Sequence, residues 1–374
     1  MSGEEKSTEL SVIIPTYNEA ENIPVLLRRL KRALESSSVG DKYEVIIVDD
    51  SSPDGTAKVA EETARKESIE DKVRVIVRPG RLGLSTAVLE GVKLARGKYL
   101  VVMDADLQHP PEKVPEIYSR LVDGADLVIG SRRNRLSSMG LPRAILSLAA
   151  ELMARLLVPE VRGVRDPMSG FFGFRRGVLG ENGPRPRGFK ILLHLLARGR
   201  YRGGGIVEVE YEFARRHAGK SKLGVGEIIS FAIYILELNE YRALKFALVG
   251  LSGVLVNEGV LWLLHAVLGL PLYLSGALSI ELSVLNNFTW NSLFTFRRVE
   301  ASGGVVARLF KYHLAVAAGL AVNYSLLLLF SLLLGLNPLL SNLVGIAAGF
   351  LANYALSERY VWRRVAAVEG GVEC

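Results

Sequence analysis

From residue 11 to about residue 133, short apolar runs alternate with amphipathic stretches. Residues 11–15, 44–48, 73–77, 99–103 and 126–130 are rich in Val and Ile, and residues 23–34, 56–65, 85–95 and 111–122 between them carry helical periodicity. Such alternation predicts an α/β domain, a mostly parallel sheet covered by helices on both faces. Ligands of such sheets bind beyond the carboxyl ends of the strands, so the residues just after each run are the ones to read for function.

Beyond Gly224 the pattern changes. Apolar stretches at about residues 244–265, 270–294, 309–334 and 338–360 are each long enough to cross a bilayer, which takes roughly 20 residues. Arg242 and Lys245 precede the first; Arg297, Arg298, Arg308 and Lys311 fill the gap between second and third; Arg359, Arg363 and Arg364 follow the fourth. The other two gaps hold no Lys or Arg. The positive-inside rule therefore predicts four spans with the basic gaps and both termini cytoplasmic. This half repeats itself at a spacing of 66 residues, as from Lys245 to Lys311, and the repeat keeps polar positions: Gly253 with Gly319, Asn257 with Asn323, Asn287 with Asn353, Arg297-Arg298 with Arg363-Arg364. The repeating unit is a helical hairpin, in parallel orientation. Residues 141–158 and 225–238 are amphipathic or apolar but too short to span, which predicts helices lying on the membrane surface, with core helices of the α/β domain as the rival reading. The expected layout is a cytoplasmic domain over residues 1–223, an interface helix within 224–241, a four-helix membrane domain over 242–364 and a tail at 365–374.

Composition refines this picture. Of 374 residues 49% are hydrophobic, yet 23% are charged, so the apolar excess sits in one part of a chain that is otherwise of ordinary soluble composition. The single cysteine, Cys374, excludes a disulfide scaffold and a cysteine-based zinc cluster. The polar start carries no export signal, so the first half is expected to stay in the cytosol. A net charge of +7 calls for an anionic partner; a lipid bilayer and a phosphorylated substrate are expected, and no nucleic acid.

Candidate chemistry lies at the strand ends. Asp104, Asp106 and Gln108 follow the fourth run, and Gln108 is the sole glutamine of the chain. In an extended chain residues i and i+2 share a face, so the three can converge on one hard cation, which requires oxygen ligands. Acidic residues after strands also cap turns, and the pair alone is a weak signal. Asp50 ends the second run and could bond a ribose or a base, whereas residues 51–55 read equally as a plain turn and cap. The first run ends in Pro15-Thr16-Tyr17-Asn18-Glu19. Without Gly-x-Gly-x-x-Gly after the first strand, or Gly-Lys-Ser/Thr, a dinucleotide oxidoreductase and a phosphate-loop ATPase are poorly supported.

The segments SVIIPTYNEAENI, VIIVDDSSPDGT, GLSTAVLEGVKLARGKYLVVMDADLQHPPE, DLVIGSR, DPMSGFFGFRR and RRHAGKSKL resemble the glycosyltransferase family 2 enzymes that make dolichyl-phosphate mannose. The likeness runs from about residue 10 to 223, and residues 240–364 resemble the GtrA-like membrane domain, the two-part arrangement being similar to that of archaeal relatives. The resemblance implies a GT-A (Rossmann-like) fold, a nucleotide-diphosphate sugar donor, Mg²⁺ or Mn²⁺, a polyprenyl-phosphate acceptor and inversion at the sugar carbon. It places Pro15, Tyr17, Glu19 and Asp50 around the nucleotide, and Asp104, Asp106 and Gln108 at the metal and diphosphate. Some relatives carry a third aspartate where this chain has only Asp49-Asp50, so which aspartate meets the base stays open.

The chain shows no obvious general base, and the acceptor explains why. A phosphate monoester has its second pKa near ~6 and reaches the site largely as a dianion. The protein must then supply cationic grip and compensation of the leaving diphosphate. Candidates are Arg132, Arg143, Arg216, Ser221 and Lys222, which bracket the expected surface helices. His109, before Pro110-Pro111, is expected to serve the turn. Glu258 and Glu281 lie within predicted spans, where an ionisable group suggests function, packing against Asn257 or Asn286 being the rival. The expected reaction is transfer of mannose from GDP-mannose to dolichyl phosphate. UDP-glucose as donor and a lipid-linked-sugar flippase are the alternatives, and a processive polysaccharide synthase is disfavoured because Gln-x-x-Arg-Trp is absent.

Overall fold

The structure is a computed structural model, and it describes residues 8–133, 141–179, 191–213, 225–299 and 303–362. The chain divides into two compact units, residues 1–238 and 239–374.

The first unit is built on one seven-stranded sheet. Its strands are β1 (Leu10–Thr16), β2 (Tyr43–Asp49), β3 (Val73–Val77), β4 (Tyr99–Val102), β5 (Leu127–Arg132), β6 (Phe172–Arg175) and β7 (Ile206–Tyr211), in the order β3-β2-β1-β4-β6-β5-β7. β1 pairs in parallel with β2 and β4, β2 with β3, and β5 with β7, while β6 runs antiparallel to both β4 and β5. Every residue of β1, β2 and β4 is buried, as continuous apolar runs covered on both faces must be. Helices α1 (Ile23–Glu35), α2 (Thr56–Lys66), α3 (Leu84–Leu94) and α4 (Val114–Val122) follow the first, second, third and fourth strands. α1 turns Ile23, Leu26, Leu27, Leu30 and Leu34 inward, each such burial contributing roughly 1.5–3 kcal/mol. β1 to β5 and α1 to α3 lie within two residues of the predicted stretches, while α4 starts three residues later than predicted because Pro111–Lys113 form a turn of 3-10 helix ahead of it.

β6 and β7 were not visible in the pattern, and β6 decides the geometry of the sheet edge. Because it is reversed, residues 166–171, which precede it, arrive at the same edge as the residues that follow the other strands.

Helices α5 (Leu141–Leu157), α6 (Ile191–Arg198) and α7 (Val225–Leu238) complete this unit. α5 buries Ala154 and Leu157 but exposes Leu148 and Leu152; α7 buries Phe231, Tyr234 and Ile235 but exposes Ile229 and Ile233. Both helices thus pack by one face and leave large apolar side chains on the other.

The second unit consists of α8 (Arg242–Leu261), α9 (Leu272–Trp290), α10 (Val305–Leu328) and α11 (Pro338–Leu356), each running on into π-helical turns that end at Val267, Thr295, Leu333 and Val361. Arg242–Val267, Val305–Leu333 and Pro338–Val361 are long and apolar enough to cross a membrane. In α9, formed by the predicted second stretch, Glu281, Asn286 and Asn287 dilute the apolar character. The hairpins close through the repeated glycines: a Cβ on Gly253 would fall 2.3 Å from Asn287 Oδ1, and one on Gly319 would fall 2.8 Å from the Gly349 carbonyl oxygen. Only glycine admits such approach, as in membrane helix pairs generally. Glu258 meets Asn257, whose Nδ2 donates at 3.3 Å. Glu281 does not take the partner of the packing reading, Asn286: its carboxylate lies 3.2 Å from His313 Nε2, because α9 brings that position against α10, while Asn286 turns to Ser252 at 3.1 Å on α8.

Candidate active site

The carboxyl edge of the sheet gathers the polar residues of the first unit. β4 ends at Val102, so residues 104–108 form a loop and not the extended chain expected. Leu107 adopts φ 61°, a conformation rare for a side chain of its size, and is itself buried. The turn this makes lets the Gln108 backbone N–H donate to Asp106 Oδ1 at 3.1 Å. His109 serves the turn, as expected: its Nδ1 accepts from the Asp104 N–H at 3.1 Å, and its ring stacks on Phe171 at 5.3 Å. Asp106 is buried and Asp104 partly exposed. Gly170, arriving ahead of β6, lies so close that a Cβ there would be 3.1 Å from Asp104 Oδ2 and 3.2 Å from His109 Cε1.

Arg132 closes β5 beside this loop, near enough for Asp104 to favour its charge. Its guanidinium is held in a fork: Nε donates to Asp166 Oδ2 at 2.6 Å and a terminal nitrogen to Oδ1 at 2.8 Å. Phe213 lies under the guanidinium at 5.3 Å. Burial opposes the charge of Arg132, but the bonds to Asp166 outweigh it and hold the pKa above the ordinary arginine value. Burial likewise pushes the neighbouring Tyr211 phenol upward, so it stays protonated. Ser131, Arg132, Arg133, Arg165, Asp166 and Glu210 line a cleft of about 240 Å³ at this corner. Asp166 had no role in the sequence reading. It is 34 residues from Arg132, too far for sequence spacing to pair them.

At the other end of the edge, Asp50 is buried and forked by Arg78, which donates from Nε at 2.7 Å and from a terminal nitrogen. Its second oxygen accepts from the Gly83 N–H at 3.0 Å. Asp50 therefore fixes the loop after β3, and Arg78, which directly follows the third apolar run, is a site residue that its position after a strand could have flagged. Asp49 accepts from Thr16 Oγ1 at 2.8 Å and from the Ser52 N–H at 2.8 Å, so the two aspartates are separately committed. Pro15 is buried in β1. Tyr17 carries Arg81 over its ring at 4.8 Å, and Glu19 accepts from Asn22 Nδ2 at 2.7 Å. Tyr17 and Glu19 are half-buried at the edge, between the loops of β1 and β2. Of the remaining candidates, Arg216, Ser221 and Lys222 lie outside the described residues, as does the side chain of Arg143 in α5.

Residues 11–183 match the family described as Glycosyl transferase family 2, and residues 245–362 match the GtrA/DPMS transmembrane domain. The open sheet with carboxylates at its carboxyl edge, joined to apolar helices of that kind, makes this a membrane glycosyltransferase. The chain is 41% identical over 364 residues to a dolichol-phosphate mannosyltransferase of Pyrococcus furiosus, covering 95% of this chain and 99% of that one. It is 40% identical over 252 residues to the dolichol-phosphate mannosyltransferase of Saccharomyces cerevisiae, covering 64% and 89%. It belongs to the dolichol-phosphate mannosyltransferase family. Among solved structures, a mannosyltransferase from Pyrobaculum calidifontis in complex with GDP-Man and Mn²⁺ is 18% identical, with a TM-score of 0.40, over 93% of this chain and 86% of that one.

Proposed function

We propose that the enzyme transfers mannose from GDP-mannose to dolichyl phosphate at the cytoplasmic face of the membrane. The observation that carries this reading is the adjacency of the Asp104–Gln108 loop to an arginine that is oriented by Asp166 and flanked by the cleft of Arg133 and Arg165. One side suits a metal-bound diphosphate and the other suits a phosphate acceptor.

The loop fits Mg²⁺ or Mn²⁺. Its donors are carboxylate and amide oxygens, and Gly170 leaves open the space beside Asp104 that a Cβ would fill. Among the described residues no group of three or more His, Cys, Asp or Glu could hold a metal; the chain offers Asp104, Asp106 and Gln108, and substrate phosphate oxygens would complete the shell, as is usual for such ions. When bound, the cation offsets charge developing on the leaving diphosphate.

The protein's own part is orientation. An oxygen of the lipid phosphate attacks the sugar carbon as the bond to the diphosphate breaks on the opposite face, so the configuration inverts and no proton is transferred. Arg132, whose fork is occupied by Asp166, turns its remaining donors toward that phosphate, with Arg143, Arg216, Ser221 and Lys222 as further grips. Pro15, Tyr17, Glu19 and the Asp50–Arg78 loop surround the nucleotide.

The deciding experiment gives the membrane-bound enzyme labelled GDP-mannose, UDP-glucose and other sugar nucleotides with dolichyl phosphate, with and without chelator, beside Asp106→Ala. Transfer from GDP-mannose alone, lost in chelator and in the variant, is expected. Preference for UDP-glucose would replace the donor, and full turnover of a folded Asp106→Ala protein in chelator would remove the metal.

A further inference from the structure

The aromatic core of the membrane unit obeys the 66-residue repeat with partners exchanged. Phe246 lies 5.5 Å from Tyr354 and 6.4 Å from Phe296. Their counterparts do the same in reverse, Tyr312 lying 5.8 Å from Phe288 and 5.5 Å from Trp362. Phe296 and Trp362, counterparts of each other, stack at 4.5 Å. A pseudo-twofold axis through this stack relates the two hairpins.

The polar shell around the core breaks that symmetry. One turn before Phe246, Arg242 pairs with Glu358 at 3.1 Å, both side chains almost fully buried, and Glu358 also accepts from the Tyr354 hydroxyl at 3.2 Å. The axis carries Arg242 onto Arg308 and Glu358 onto Ser292, so the second half keeps the arginine and lacks the carboxylate. It has also gained a donor, because Phe296 is replaced there by Trp362. Arg308 Nε, Ser292 Oγ and Trp362 Nε1 are buried atoms with no hydrogen-bond partner among the described residues, and Trp362 as a whole is 2% exposed. Tyr312 links their positions: Arg308 precedes it by one turn of α10, Ser292 follows by one turn the Phe288 that Tyr312 meets, and Trp362 touches Tyr312 directly. Buried donors are costly to leave unpaired. By the 66-residue repeat, Arg308 and Ser292 occupy the positions equivalent to the arginine and the carboxylate that pair in the other half.

We propose that this second half binds an anionic phosphate group, that of a lipid headgroup. The donors suit a tetrahedral oxyanion, serine in place of glutamate removes the carboxylate that would compete with it, and they sit at the end of the bundle that also carries Arg297, Arg298 and Lys311. The site lies within the membrane unit and does not depend on the transfer reaction proposed above.

The test uses the full chain in neutral detergent, titrated with dioleoyl phosphatidic acid, dioleoyl phosphatidylcholine or inorganic phosphate, and read by tryptophan fluorescence and melting temperature. Saturable binding of phosphatidic acid, at least about tenfold tighter than phosphatidylcholine, is expected, with a loss of about tenfold or more in Arg308→Gln from the missing charge-assisted bonds. Ser292→Glu should rebuild the pair seen at Arg242, raise the melting temperature without lipid and abolish lipid binding. If inorganic phosphate binds as tightly as phosphatidic acid, the anion is free phosphate and the lipid assignment falls. Equal affinity for the two lipids, or wild-type binding by both variants, would overturn the site altogether; should Ser292→Glu fail to fold, Arg308→Gln alone decides.

Discussion

Asp166 is the residue on which the proposed acceptor grip turns, and Asp166→Asn isolates it. The substitution keeps the shape and one carbonyl oxygen, but it replaces the other acceptor of the fork by an amide that confronts an arginine N–H. In the native protein the two bonds are 2.6 and 2.8 Å long, and the side chains of Arg132 and Asp166 are only 9% and 4% exposed. Removing one partner of a buried pair costs roughly 3–5 kcal/mol, and the surviving hydrogen bond in the asparagine variant places the loss near ~3 kcal/mol. Part of this falls on stability of the first unit. The rest falls on acceptor recognition, because Arg132 no longer has one orientation in which to meet the phosphate. One charge-assisted bond weakened at the acceptor is worth about 1.5–3 kcal/mol, so kcat/KM for dolichyl phosphate should drop roughly ten- to a hundredfold, while calorimetric affinity for GDP-mannose changes little. Thermal unfolding with steady-state kinetics at varied dolichyl phosphate separates the two effects. A variant that melted early but kept normal acceptor kinetics would reduce the pair to a structural strut, and lost donor affinity would move Arg132 into the nucleotide site.

Gly170→Ala puts a methyl 3.1 Å from Asp104 Oδ2; the half-saturating Mn²⁺ concentration for transfer should rise about tenfold for roughly 1.4 kcal/mol of misplacement, and an unchanged metal requirement would show that the loop has slack. His194, buried and 3.0 Å from the Tyr234 hydroxyl, has its pKa lowered from 6.5 to about 4 by burial and then by Arg198. The neutral ring is the folded form, so its contribution is complete above pH 6.5 and is lost as pH falls toward 4. That difference amounts to about 3 kcal/mol, and denaturant melts of His194→Gln should lack the corresponding slope across that window. Cysteines placed beside Gly269 and Gly335 should react with an impermeant thiol reagent from outside the cell, as the basic gaps require; labelling from the cytoplasmic side alone would invert the topology.

Alternation of apolar runs with helical stretches was enough to place β1 to β5 and α1 to α4, because period and run length are local properties that burial on both faces or on one face imposes directly. Hydropathy and polar repeats likewise marked the membrane helices and the glycines where they close. Strand β6 was not legible: Phe172–Arg175 is four residues long and is a strand only through its pairing with β4 and β5. Its reversed direction brings Asp166 and Gly170 to the carboxyl edge, and neither could be assigned a part without it. The same holds for Arg78 with Asp50, 28 residues apart, and for Glu281, which meets His313 in place of the asparagine five residues away. Sequence spacing fixes which side chains share a face of one element, but which charges meet across elements depends on strand order and helix packing. The chemistry at the sheet edge and in the membrane unit was therefore visible as residue types, while its pairing, Arg132 to Asp166 in the one and Arg242 to Glu358 in the other, was decided only when the chain closed on itself.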